Sequence, residues 1–221
     1  TNTLSFPSGK TAIATYMLDN NATDVSGNYN GTETFITYNT GKYGGGAVFN
    51  GSSSKISLGS LNQFSGNTVS FSLWFNSTDA SVTKILLGSN VNAIFAGELD
   101  LYTYNSGFLL TVATASNVYR QWTTPASLSN NTWHNVVVTL DSATSEVAKI
   151  YLDGNEQTKS ILGQSGTISG ALLNSASNLN LGVDNVPASY FNGSIDQVRI
   201  YESALSSTDV TNIYNNEVQA N

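Results

Sequence analysis

Two stretches of the chain crowd together side chains that can do chemistry. In Gly97-Glu98-Leu99-Asp100-Leu101-Tyr102-Thr103-Tyr104, acids and tyrosines alternate with other residues. The period of two along a strand puts Glu98, Asp100, Tyr102 and Tyr104 on one face. Carboxylates accept hydrogen bonds from hydroxyl groups and aromatic rings stack on the apolar faces of pyranoses, so this pattern suits a sugar. Tyr119 and Trp122 follow on a later strand and complete a candidate ligand-binding set of Glu98, Asp100, Tyr102, Tyr104, Tyr119 and Trp122. The second stretch packs oxygen donors: Asp19, Asn20, Asn21, Asp24, Ser26, Asn28 and Asn30, with Gly27 and Gly31 letting the backbone turn. Calcium takes six to eight hard oxygen ligands, and this loop is rich in them.

Other chemistries are poorly served. Cysteine is absent, which removes disulfides, thiolate metal sites and thiol nucleophiles together. The single histidine, His134, follows Trp133 at the start of an apolar run and reads as a structural residue rather than a member of a nucleophilic triad. Glu98 and Asp100 are adjacent on one face and form the one carboxylate pair that a glycoside hydrolase could use. Retaining hydrolysis needs its two carboxyl groups roughly 5–5.5 Å apart.

The elements that must position these residues read as strands. Runs rich in Val, Ile, Leu, Thr and aromatics occupy 12–17, 34–38, 46–49, 54–58, 68–76, 83–88, 93–96, 99–104, 107–113, 118–124, 133–140, 147–152, 178–182 and 194–201, separated by Asn, Gly and Ser clusters. Val69-Ser70-Phe71-Ser72-Leu73-Trp74-Phe75 alternates, so its odd positions pack inward. Trp133 to Leu140 is more continuously apolar, as a central strand covered on both sides would be. Asp153-Gly154 is a strong hairpin signal. One helix is predicted, Ser206 to Asn215, a turn or two capped by Ser206 or Ser207 with Asp209 in its first turn. The expected fold is all-β, a two-sheet antiparallel jelly-roll sandwich with a short C-terminal helix. Residues 1–11 read as an arm or edge segment and 12–221 as one domain.

Composition narrows the partners. The 221 residues carry 15 acids against 8 Lys and Arg, a net charge of −7, with only 10% of residues charged. Phosphate backbones need clustered cations, so nucleic acid is not an expected partner. No segment approaches the roughly 18–20 apolar residues of a membrane span, and no membrane partner is expected. Solubility rests on Asn, Ser, Thr and Gly, a polar uncharged surface that suits secreted or particle-borne β-proteins.

Seven fragments, in order, resemble the laminin-G-like jelly-roll modules of the concanavalin A-like lectin and glucanase superfamily: Thr15-Tyr16-Met17-Leu18-Asp19; Asp24-Val25-Ser26-Gly27-Asn28-Tyr29-Asn30-Gly31; Gly45 to Gly51; Val69 to Phe75; Trp133 to Thr139; Ile150-Tyr151-Leu152-Asp153-Gly154; and Phe191 to Tyr201 with Ala204-Leu205-Ser206 beyond. The match spans about residues 12 to 217. The first two fragments are also similar to modules of tailed-bacteriophage structural proteins. The resemblance implies a non-enzymatic binding module acting in carbohydrate or surface recognition, on a virion or in another extracellular setting. Its partners would be a glycan or cell-surface polysaccharide, or capsid and tail proteins if the module is purely a decoration domain. It implies a structural calcium between the opening loop and the last strand, with Asp19, Asp24, Asn30 and Asp196 as the matching positions. Laminarinase-like relatives carry Glu-x-Asp-x-x-Glu on one strand. Here the second Glu falls at Thr103 or Tyr102, neither of which can serve as general acid, so no catalytic residue is expected.

Overall fold

The computed structural model describes residues 10–58, 61, 66–89, 96–173, 178–184 and 189–219. Among them two antiparallel sheets are laid face to face. The first sheet runs, from one edge to the other, β13 (Asn155–Glu156), β12 (Ala148–Leu152), β11 (Trp133–Asp141), β6 (Thr68–Ser77), β16 (Asn192–Tyr201), β4 (Gly45–Asn50) and β3 (Thr37–Thr40), with β1 (Ala14–Tyr16) also paired to β16. The second runs β14 (Ser160–Ser165), β10 (Val118–Thr123), β9 (Gly107–Ala115), β8 (Glu98–Tyr104), β7 (Lys84–Ser89), β15 (Leu179–Leu181), β5 (Lys55–Ser57) and β2 (Thr32–Thr34). The expected sandwich is what forms.

Alternation decides what lies between the sheets. Val69, Phe71, Leu73 and Phe75 of β6 meet Leu99 and Leu101 of β8, Phe108, Leu110 and Val112 of β9, and Val136, Val138 and Leu140 of β11 in one continuous core. Removing this much apolar surface from water is the dominant favourable contribution to such a fold. β11 is covered on both sides, as its apolar run predicts, because Val137 on its outer face joins a second cluster with Tyr151, Tyr201, Leu205, Val210 and Ile213. That cluster seats helix α1 (Ser207–Gln219) on the outside of the first sheet. Trp74, also outward on β6, stacks on Tyr214 of α1 with ring centroids 5.7 Å apart and meets Tyr43 edge-on.

The helix is longer than the turn or two expected. A capping box starts it: the Ser206 hydroxyl accepts the Asp209 amide at 3.2 Å, and the Asp209 carboxylate accepts the Ser206 amide at 2.9 Å. Packing of Val210 and Ile213 then carries it past the point where local propensity alone would end it. Asp153-Gly154 makes the predicted tight turn, with both residues at positive φ, 49° and 79°. The run at 34–38 divides into β2 and β3 on different sheets, because the chain crosses from one sheet to the other at Phe35. β13 and β14 carry no clear strand pattern and were missed; β14 is exposed along nearly all its length, so burial leaves no alternation in it. Residues 93–95 of the expected strand 93–96 and most of the 1–11 segment lie outside the described residues, and Ala96 is in a turn.

Trp74 sets a stability test. Trp74→Ala removes the platform between Tyr43 and Tyr214 and should lower stability by about 3–5 kcal/mol in a urea titration. A loss below about 1 kcal/mol would mean that the outer helix layer contributes little.

Candidate functional site

The outer face of the second sheet is built by the same alternation that fills the core. With Leu99, Leu101 and Thr103 of β8 turned into the core, Glu98, Asp100, Tyr102 and Tyr104 share the opposite face, as expected, with both acids buried and only the two tyrosines partly exposed. The register carries the row sideways: Asp100 pairs with Thr111 of β9, Thr111 with Gln121 of β10, and Glu98 with Ala113, which pairs with Tyr119. On the other side Asp100 is opposite Gly88 of β7, and Gly88 is opposite Asn180 of β15. Four strands therefore place Glu98, Asp100, Tyr102, Tyr104, Thr111, Tyr119, Gln121 and Asn180 on one surface, with Gly88 of β7 between Asp100 and Asn180.

Its centre is an acid cluster held by hydrogen bonds. Asp100 Oδ1 accepts the Ser89 amide at 2.8 Å, and its Oδ2 accepts the Tyr102 hydroxyl at 3.3 Å. The same Tyr102 hydroxyl donates to Asp184 at 2.8 Å, a residue that follows β15 and that sequence reasoning did not single out. No local signal marks Asp184: it joins the cluster through a contact 82 residues away in the chain. Burial pushes the Asp100 carboxyl well above the usual carboxylate range, and the charges of Glu98 and Asp184 push it further, against the pull of the Ser89 amide and the Tyr102 hydroxyl. Burial raises the Tyr102 hydroxyl too, with Asp100 and Asp184 adding to it, so Tyr102 remains a neutral donor. Gln121 donates to the Thr111 hydroxyl at 3.1 Å, which fixes its amide across the neighbouring strand.

Trp122 is the exception. The candidate set placed it with the tyrosines, but it pairs with Leu110, turns inward and is 4% exposed, because successive residues of β10 alternate between faces. Thr103, where the glucanase pattern would need its second acid, is also buried in the core side and donates its hydroxyl to the Val82 carbonyl at 3.0 Å. β8 stays in continuous register with β9 from Glu98 to Tyr104, so no bulge rotates position 103 outward.

His134 is held as a structural group. Its Nδ1 lies 2.8 Å from an Asp153 oxygen and its Nε2 accepts the Ser129 amide at 3.1 Å, a network that fixes the Nδ1–H tautomer.

The four positions matched to a metal divide into two groups. Asp24 and Asn30 close their own loop. Asp24 Oδ1 accepts the Thr15 amide at 2.8 Å, Oδ2 accepts the Ser26 hydroxyl and the Tyr29 amide, and Asn30 Oδ1 accepts the Asp24 amide at 3.1 Å. Burial alone would raise the Asp24 pKa, but these hydrogen bonds outweigh it and hold the carboxyl below its ordinary value. Asp19 and Asp196 form the second group. The neighbour of β16 changes from β4 to β1 at a bulge between Asp196 and Arg199, with Gln197 at a φ of 51°. That change leaves Asp196 fully buried at the junction, with its Oδ2 accepting the Tyr43 amide at 2.9 Å and its Oδ1 without a hydrogen-bond partner. Burial pushes the Asp196 carboxyl up to about 7, offset in part by neighbouring amides and aggravated by the charge of Asp19. The Gly41 to Gly45 turn runs between the two acids: the Gly45 amide donates to Asp19 at 2.9 Å, and a Cβ at Gly44 or Gly45 would run into Asp19. An orphaned buried carboxylate oxygen beside a second carboxylate and a glycine-rich turn fits a hard cation. Among the described residues no group of three or more His, Asp or Glu side chains is placed to hold a metal, so backbone oxygens or water would complete any such set.

The comparisons with known proteins agree with this geometry at the level of fold. A family model described as the concanavalin A-like lectin/glucanases superfamily matches residues 50–211. Among solved structures, domain 4 of AbnA, a GH43 extracellular arabinanase from Geobacillus stearothermophilus, determined in complex with arabinotriose, is 26% identical, with a TM-score of 0.71 over 93% of this chain and 98% of that one. The binding domain of botulinum neurotoxin serotype G aligns with a TM-score of 0.68 at 15% identity, over 92% of this chain and 50% of its own. The binding domain of botulinum neurotoxin DC, in complex with SialylT, gives 0.71 at 14% identity, over 93% and 51%. The chain thus spans about half the length of these toxin domains, whose likeness is one of fold. No curated protein sequence matches it. Among the described residues no helix is long and apolar enough to cross a membrane.

The raised Asp100 carboxyl gives a pH test. A group whose folded-state pKa is raised contributes stability that is complete below its unfolded pKa, near 4, and lost as pH rises through the folded value. Asp100→Asn keeps an acceptor for Ser89 and removes the titrating charge. Its melting temperature should exceed that of the wild type at pH 8, by about 2–4 °C for each kcal/mol recovered, and the advantage should vanish at pH 4. Equal melting curves at both pH values would show that Asp100 is not held under strain.

Proposed function

The chain belongs to the concanavalin A-like lectin/glucanases superfamily, and on that footing we propose that it is a glycan-binding module whose ligand lies across the outer face of the second sheet. The observation that carries this is the shared face of Glu98, Asp100, Tyr102, Thr111, Tyr119 and Gln121, held in place before any ligand arrives. Fixed acceptors take sugar hydroxyls and half-buried tyrosine rings receive the apolar faces of the sugar, with little ordering left to do on binding. The arabinotriose named with the 26% identical arabinanase domain supports an oligosaccharide as the class of ligand. Three acids at the centre, Glu98, Asp100 and Asp184, favour a neutral glycan over an acidic one, because a second negative charge would meet like charge at low dielectric.

The module is proposed to bind without catalysis. What supports this is that neither position where the related pattern would carry its second acid holds one: Thr103 is turned into the core and Tyr102 carries a phenol. An extracellular or virion-borne setting belongs to the same proposal and is supported by a chain with only 10% charged residues.

Arabinotriose titrated by calorimetry tests the site. Tyr119→Ala and Gln121→Ala are each expected to weaken binding by about tenfold, or about 1.4 kcal/mol, with the melting temperature nearly unchanged. If arabinotriose and other neutral oligosaccharides bind the variants as they bind the wild type, the ligand lies elsewhere.

A structural calcium is part of the proposal. Asp19 and Asp196 would hold it; when bound, it would supply positive charge that favours the ionised form of the buried Asp196 carboxyl. The two residues then tie the chain leaving β1 to β16 across the Gly41–Gly45 turn. Adding calcium to chelated protein should raise the melting temperature, and Asp196→Asn should abolish the rise. An identical melting curve with calcium and with chelator would contradict the site.

A further inference from the structure

Strand β10 has a second face. Tyr119 and Gln121 look outward to the glycan surface, whereas Arg120 and Trp122 look inward, at the margin where the second sheet ends. There a cavity of about 330 Å³ opens between β10, β14 and the turn joining β11 to β12, lined by Arg120, Trp122, Ser145, Glu146, Val147, Lys159 and Ile161. Its volume is at the lower end of small-ligand sites, the size for one sugar ring rather than an extended chain.

The cation in it is unusual. The Arg120 guanidinium lies over the Trp122 ring at 5.9 Å from the centroid, and its Nε is buried without a hydrogen-bond partner. A buried guanidinium nitrogen without an acceptor costs free energy that only an incoming acceptor repays. In contrast, Lys159 is 16% exposed and bonded to Glu146 at 2.8 Å, and Glu146 also faces Lys149 at 3.7 Å. The acid of the cavity is therefore already engaged, and Arg120 faces the space with none. Among these charges, Ile161 pairs with Trp122 across the strands, is 54% exposed, and with Val147 adds apolar lining. In a chain of net charge −7, an arginine and a lysine lining one cavity make a local exception rather than a basic surface.

We propose that this cavity binds a carboxylated monosaccharide, a uronic acid or a sugar of the same kind, with Arg120 and Lys159 receiving the carboxylate and Ile161 and Val147 receiving the apolar face of the ring. The planar fork of arginine matches a carboxylate with two parallel hydrogen bonds, and its stacking on Trp122 holds the fork in place. The apolar lining has no use for a bare inorganic anion. This site is separate from the neutral-glycan surface and stands on its own observations. The two faces of β10 would then let one strand read a neutral stretch and an acidic residue of a mixed polysaccharide.

D-glucuronate, D-glucose and inorganic phosphate, titrated at low salt into wild type, Arg120→Gln and Lys159→Met, test it. Glucuronate is expected to bind saturably, to change the Trp122 fluorescence, and to weaken about tenfold in Arg120→Gln and about threefold in Lys159→Met, with glucose showing no such binding. The Trp122→Phe variant should lose the fluorescence change while keeping the heat of binding. Lys159→Met removes the cation bonded to the half-exposed Glu146 and keeps the test open if Arg120→Gln folds poorly. Glucuronate binding no better than glucose, or equal binding by both charge variants, overturns the proposal. Phosphate binding as tightly as glucuronate overturns the assignment to a sugar. Arabinotriose binding unchanged in both variants keeps this outcome distinct from that of the outer face.

Discussion

Asp100 is a carboxyl group buried beside two others, and keeping it there constrains the molecule around it. Isolated in a core, such a group would be costly in either state; here the Ser89 amide and the Tyr102 hydroxyl hold it, and the same hydroxyl holds Asp184. That arrangement requires β7, β8 and the segment after β15 to be in fixed register, which the core beneath supplies through Leu87, Leu99, Leu101 and Leu181. One strand, β8, thus carries the hydrophobic constraint on one face and the polar one on the other. Packing of the first determines the geometry of the second.

Burying acids beside one another carries a cost that the hydrogen bonds of Ser89 and Tyr102 offset only in part. The outer face of the first sheet shows the contrast. Its large outward residue, Trp74, is covered by Tyr43 and Tyr214 and by a helix, and the Lys42 ammonium sits over its ring at 4.7 Å. The outward tyrosines of the second sheet, Tyr102, Tyr104 and Tyr119, are left half exposed. The two sheets share a core and differ outside it: α1 packs on one outer face, while the other carries the buried acids with partly exposed tyrosines beside them.

Much of this was legible in the residues. Strong alternation identified β6 and β8, continuous apolarity identified β11 as covered on both sides, and Asp153-Gly154 marked its turn, because in each case a local physical requirement writes itself into adjacent residues. The shared face of Glu98, Asp100, Tyr102 and Tyr104 followed from spacing alone. What spacing cannot carry is long-range. Asp184 reaches Tyr102 from a distant loop, Trp122 is decided by which side of β10 meets the core, and Asp196 is buried within reach of the charge of Asp19 at a bulge where β16 changes partners. β14 escaped notice for the opposite reason, since an exposed edge strand has no buried face to imprint a pattern.

The central claim is that a neutral oligosaccharide rests on the outer face of the second sheet. Amide chemical shifts followed by NMR while arabinotriose is added test it most directly. The account predicts saturable shifts at Glu98, Asp100, Tyr102, Thr111, Tyr119 and Gln121, with the amides of α1 unmoved. Shifts confined to the first sheet or its helix, or no saturable shift with any neutral oligosaccharide, would contradict it.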